Sequence, residues 1–113
     1  MNLGRLLADA IGRAPELFDA ASLPSETTQR LFEVTGVVQD HRRIEHGNMF
    51  VARRGAKFDA HAHLPQAVAA GAVALVGERP QAEVGALGAP YVRVTDARRA
   101  LPYLAAAFYQ HPS

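Results

Sequence analysis

Apolar positions along the chain recur in two rhythms, and their order predicts helices set against a small sheet. Leu3, Leu6, Leu7 and Ile11 have near-helical spacing with Gly12 as a stop, so a short amphipathic helix is predicted to open the chain. From Ala14 to Thr28 the rhythm lapses. Pro15, Ser22, Pro24, Ser25, Thr27 and Thr28 read as a loop held down by Leu17 and Phe18. Val34, Thr35, Val37 and Val38 then form a β-branched strand with Gly36 as its weak point, ending at Gln39 and Asp40. The charged turn from His41 to Gly47 leads to a second strand over 48–52, giving two neighbouring strands or a hairpin-like pair.

The clearest local signal follows. Pro65 is preset for the first turn of a helix, Gln66 to Ala70 are its alanine-rich body, and Gly71 is its stop. Ala72 to Val76 is apolar throughout, as in a strand covered on both faces, and a helix so tightly followed by a strand suggests a crossover unit. Gln81 to Ala89 reads as a connection and 90–94 as another strand. Thr95 or Asp96 caps a last helix whose apolar face carries Ala100, Leu101, Leu104, Ala107 and Phe108, with an irregularity expected at Pro102. The predicted fold is one small α/β domain over 1–113, three-layer-like, with a mixed sheet of about four or five strands flanked by helices. Residues 110–113 read as the beginning of a linker.

Composition narrows the function classes. With 113 residues the chain has room for one modest core and not for two domains. A hydrophobic share of 49% with 20% charged residues belongs to ordinary globular proteins, and a net charge of +1 gives no reason to invoke nucleic acid or a membrane surface. Any anion site must be local. The chain has no cysteine, which excludes disulfides and thiolate metal sites and fits a reducing compartment, so the cytoplasm is the expected location. Arg5, Asp9 and Arg13 interrupt the N-terminal apolar residues, so neither a signal peptide nor a membrane span is expected.

Candidate chemistry is sparse. Arg42, Arg43, Arg53, Arg54 and Lys57, five of the twelve basic residues, crowd one short stretch. Gly55 there permits close backbone approach, so a diphosphate could be held. The competing reading is that these arginines are solvated and balance Asp40, Glu45 and Asp59. His61 and His63 have the alternate spacing of a two-histidine metal site, but no third or fourth ligand is placed by sequence and Pro65 starts a helix just after them; no metal site is expected, and helix-entry histidines are the plainer reading. A Gly-x-Ser-x-Gly elbow, a phosphate loop of the form Gly-x-x-x-x-Gly-Lys and a recognisable carboxylate pair are all absent from the sequence, so no catalytic residue is assigned.

Several pieces in register resemble one family. They are Asp40-His41-Arg42, Gly47-Asn48-Met49-Phe50-Val51-Ala52, Gly55-Ala56-Lys57-Phe58-Asp59-Ala60, Pro65-Gln66-Ala67, and Gly71-Ala72 leading into the apolar strand. Their order and gaps are similar to the N-terminal domain of the Mur ligases. The ending Ala107-Phe108-Tyr109-Gln110-His111-Pro112-Ser113 is most like MurE, the tripeptide-forming branch, where such a phrase precedes the ATP-binding strand. MurF-type ligases share much of the pattern. The resemblance implies a parent enzyme that joins an amino acid to UDP-N-acetylmuramoyl-L-alanyl-D-glutamate in peptidoglycan synthesis, using ATP and magnesium through an acyl phosphate. It implies that this domain only holds the uridine diphosphate end, with the ATP-binding and C-terminal domains as its partners in the intact chain. On that resemblance, Gln39 and His41 contact uracil and ribose, and Ala56, Lys57 and Phe58 face the diphosphate. Asp40, Arg42, Gly55 and Asp59 shape the pocket. The sequence departs from the family pattern at His41, where a serine is usual, at Ala56, where a histidine is common, and at Ala60, which replaces a glycine. A module that keeps the fold without the ligand is the alternative these departures suggest.

Overall fold

A computed structural model of the chain describes residues 1–53, 60–85 and 87–109. The first helix, α1 (Leu3–Arg13), begins where the Asn2 side chain accepts from the Arg5 N–H, and it buries Leu3, Leu6, Leu7 and Ala10. It runs through Gly12 and so ends slightly later than the glycine suggests. The stretch expected as a loop over 14–28 has more structure than that. Pro15–Leu17 and Ala20–Ser22 are single 3-10 turns, the second capped by Asp19, and a short helix α2 (Glu26–Leu31) starts at Ser25, whose hydroxyl accepts from Thr28 N–H at 3.2 Å. Ser and Thr in series look like a loop, yet here one of them satisfies an orphan amide and so starts a helix.

Among the described residues four strands follow: β1 (Gly36–Val38), β2 (Asn48–Val51), β3 (Ala74–Gly77) and β4 (Tyr91–Arg93). They form one sheet in the order β1-β2-β3-β4, and every pair is parallel. The α/β class and the small sheet are as predicted; the strand pairing is parallel where a mixed sheet or hairpin was expected. The reason lies in residues 39–47. They make a 3-10 turn at His41–Arg43 and carry Ile44 back over one face of the sheet, so the chain re-enters at the same end. The helix α3 (Leu64–Ala69) connects β2 to β3, and the short α4 (Gln81–Val84) lies between β3 and β4. Leu64, Ala67, Val68 and Val84 pack on the same face as Ile44, with Phe50, Leu75 and Tyr91. Strands added in sequence order, with the described connecting residues Ile44, Leu64, Ala67, Val68 and Val84 on one face, follow from a constant crossover hand.

The opposite face carries Val37, Met49, Val51, Ala74, Val76, Val92 and Val94, packed against α1 and the final helix α5 (Ala97–Tyr109). All four residues of β2 and of β3 are buried, as strands covered on both sides must be. α5 continues unbroken through Pro102, which is exposed, so the expected irregularity does not interrupt the helix.

The two ends of the sheet differ. At the amino ends of β2 and β3 the backbone closes on itself: Gly47 N–H donates to Gly71 O at 2.8 Å, and Gly71, at φ +113, lies so close to His46 that a Cβ would come 2.7 Å from its Cα. At the carboxyl ends, polar side chains gather instead.

Candidate site at the carboxyl edge of the sheet

Open parallel sheets bind ligands outside the carboxyl ends of their strands, where loops rather than packed faces meet solvent. Here β1 runs out into Gln39 and Asp40, β2 into Ala52 and Arg53, β3 into Glu78 and Arg79, and β4 into Val94, Thr95 and Asp96. Asp40 caps the 3-10 turn that follows it, accepting from Arg42 N–H at 2.9 Å. The same carboxylate takes both Nε and Nη2 of Arg42, at 3.1 and 3.2 Å. The Arg42 hydrogen bonds hold the Asp40 carboxyl below its ordinary pKa, with the nearby Arg43 acting in the same direction. Asp40 and Arg42 therefore fix each other and the turn. His41 lies on this turn. Gln39 projects into solvent, where its Oε1 accepts from Arg53 Nη1 at 2.7 Å. Gly55, Ala56, Lys57, Phe58 and Asp59 lie outside the described residues, as does Arg54.

The exit of β3 is the most connected point. His61, on the 3-10 turn Ala60–His63, is buried, and its Nε2 accepts from Glu78 N–H at 2.8 Å and Arg79 N–H at 3.4 Å. Backbone amides only donate, so Nε2 carries the lone pair, and that lone pair is already spent. This tells against His61 as a metal ligand through Nε2; His63 Nδ1 lies 2.7 Å from Gln66 Oε1. No group of three or more His, Cys, Asp or Glu residues suited to a metal ion occurs among the described residues. Glu78 continues the chain of contacts: its carbonyl accepts from Arg93 Nε at 3.1 Å, and its carboxylate accepts from Ala97 N–H at 2.8 Å, at the start of α5. Tyr91 donates its hydroxyl to Arg79 O at 2.6 Å.

Sequence reasoning picked out Gln39, Asp40 and Arg42 at this edge and missed the roles of Arg53, His61 and Glu78. Gly77 was the available signal for His61. A glycine ending an otherwise apolar strand marks close approach by a neighbour, and a Cβ there would lie 2.8 Å from His61 Nε2.

The profile described as "Mur ligase family, catalytic domain" matches residues 33–109. This chain belongs to the Mur ligase family. It is 50% identical over 80 residues to the UDP-N-acetylmuramyl-tripeptide synthetase of Roseiflexus sp., covering 71% of this chain and 16% of that protein. The like-named protein of Deinococcus radiodurans is 46% identical over 103 residues, covering 89% and 21%. The UDP-N-acetylmuramoyl-L-alanyl-D-glutamate–2,6-diaminopimelate ligase of Bacteroides fragilis is 42% identical over 81 residues, covering 72% and 16%. The chain thus spans only about a sixth to a fifth of the length of these relatives. Among solved structures, MurF from Acinetobacter baumannii superimposes with a TM-score of 0.65 at 28% identity, covering 88% of this chain and 20% of that one.

Proposed function

We propose that the chain is the N-terminal, substrate-holding domain of a MurE-type ligase of the bacterial cytoplasm, binding the uridine diphosphate end of UDP-N-acetylmuramoyl-L-Ala-D-Glu. The observation that carries this reading is the carboxyl edge itself: Gln39, the Asp40–Arg42 turn and Arg53 are brought together there, at the place where parallel sheets take ligands. Identities of 46–50% to two proteins named as tripeptide synthetases support the MurE branch over MurF, whose solved structures are 26–28% identical to this chain. The MurF reading retains the shape of the fold in its favour.

On this reading residues 110–113 open the linker to an ATP-binding domain, and a C-terminal domain brings the incoming amino acid. ATP and magnesium belong to those domains: the sequence has no phosphate loop, and no catalytic step is assigned to the residues of this chain. Its contribution is to hold one end of a long substrate, so that the distant carboxylate is delivered in a fixed place. Gln39 and His41 meet the nucleoside, and Ala56, Lys57 and Phe58 the diphosphate, with Asp40, Arg42, Gly55 and Asp59 shaping the pocket. Isothermal titration of the 113-residue chain with UDP-N-acetylmuramoyl-L-Ala-D-Glu, and with UDP alone, tests it. Binding of both, with backbone amide shifts at Gln39 and His41, is the expected result. A chain that binds neither, or binds without moving those resonances, would favour a module that has kept the fold and lost the ligand.

A further inference from the structure

The exit of β3 presents two successive backbone N–H groups, those of Glu78 and Arg79. Both aim at one point, since a single atom, His61 Nε2, accepts from them at 2.8 and 3.4 Å. Successive amides that converge in this way are the makings of an anion site. Here the point is taken by the protein itself. His61 comes from the turn Ala60–His63, is only 7% exposed, and reaches the amides because Gly77 has no Cβ to stand in its path. Two arginines belong to the same exit: Arg79 contributes one of the amides, and Arg93 Nε donates to the Glu78 carbonyl at 3.1 Å. The Glu78 carboxylate is engaged with Ala97 N–H at 2.8 Å, at the start of α5.

We propose that His61 is a built-in plug: it stands in for an anion on the Glu78–Arg79 amide pair and thereby keeps phosphate groups out of the β3 exit. The chemistry suits the position. A neutral imidazole accepts through one ring nitrogen without bringing a net charge into a buried place, where a carboxylate would carry one. Neighbouring amides on this half of the edge are likewise taken by side chains of the protein, Ala97 N–H by Glu78 and Arg99 N–H by Asp96 at 3.2 Å. A ligand that carries phosphate is therefore refused at the exit of β3. His61 is a specificity-determining residue by exclusion, because it decides where along the edge such a ligand is not held. The proposal goes beyond the nucleotide-binding reading and does not depend on it, since it concerns inorganic phosphate as much as a nucleotide.

The test titrates the 113-residue chain and its variants with inorganic phosphate, against chloride at equal ionic strength to remove general screening. In the unaltered chain phosphate should leave the Glu78 and Arg79 backbone amide resonances in place. His61→Ala frees both amides and the volume in front of them, so the same resonances should move and saturate. Phosphate at about ten times its dissociation constant should then raise the Tm of that variant by about 5 °C. A merely structural role for His61 gives a less stable variant and no such gain. His61→Gln, which offers an acceptor oxygen, should not respond to phosphate; His61→Leu, which fills the space without an acceptor, should not respond either and should be the less stable of the two. A His61→Ala variant that responds to phosphate no more than to chloride overturns the proposal, and so does an unaltered chain whose Glu78 and Arg79 amides move with phosphate. The ring nitrogen chemical shifts give a check that needs no variant. At mildly alkaline pH the His61 ring should show Nε2 without a proton, and a protonated Nε2 overturns the proposal even where the variants fail to fold. Binding of UDP is scored separately: its failure leaves the plug standing, and failure of the plug leaves the nucleotide-binding reading standing.

Discussion

Gly77, His61 and Tyr91 occupy one small volume at the end of β3, and none can change without the others. The imidazole accepts two backbone amides only because Gly77 has no side chain to hold it off. Gly77→Ala should therefore cost about 1–3 kcal/mol through overpacking, read as a lower urea midpoint with an unchanged m-value. A variant as stable as the parent would show that the neighbours give way freely and that the close fit has no consequence. Tyr91 makes a prediction of a different kind. Burial, the largest influence on it, pushes the phenol up to about 12, while its hydroxyl donates to Arg79 O. A folded-state value above the unfolded one of about 10 means that this contribution is complete below pH 10 and is lost as pH rises toward 12. The chain should lose stability over that window, and Tyr91→Phe, though less stable at neutral pH, should flatten the decline. Parallel profiles for the two proteins between pH 10 and 12 would refute the assignment.

At the scale of elements, two glycines that look alike in the sequence carry opposite consequences. Gly12 lies exposed within α1, and nothing stands within 4 Å of where its Cβ would be. Alanine there should stabilise the protein by about 0.5–1 kcal/mol, because a helical glycine gives up more backbone entropy than alanine. Gly71 stops α3 at φ +113 with the His46 backbone against it, so Gly71→Ala should cost about 1–3 kcal/mol from conformation alone, and more from the contact. Thermal melts of the two variants should move in opposite directions; a shift of the same sign would mean that one environment is misassigned. The sequence reading separated them only in part: it took both as helix stops, whereas Gly12 is inside its helix. The same limit explains α2 and the sheet. Local pattern showed that residues 34–38 and 48–52 were strands, since β-branching and apolar runs are properties of the segment. It did not show that they run parallel, because that depends on where Ile44 packs, a contact with the far face that no short window contains.

The two ends of the sheet differ across the described residues, and the proposed binding surface is the polar one. Backbone turns joined through Gly47 and Gly71 seal the amino ends of β2 and β3, while the carboxyl edge carries Gln39, Asp40, Arg42 and Arg53 on loops braced by the Asp40 cap and the His61–Glu78 links. Gln39, Asp40 and Arg42 were singled out in the sequence through the family pattern, whereas Arg53 entered only as one basic residue in a crowd. Its pairing with Gln39 depends on strand register, which the sequence does not state. If the carboxyl edge is the binding surface, a ligand there bridges the exits of β1 and β2 and stabilises the folded state by mass action. At a free concentration about a hundredfold above its dissociation constant, that amounts to about 2.7 kcal/mol, and for a domain of this size to a rise in Tm of about 10 °C. UDP and ATP separate the causes of such a rise. Both carry phosphate charge, and only UDP carries the pyrimidine that Gln39 would meet. UDP should raise Tm well above the effect of ATP at equal concentration and ionic strength, and Arg53→Met should shrink the difference. Equal shifts from the two nucleotides would reduce the edge to an unspecific anion site.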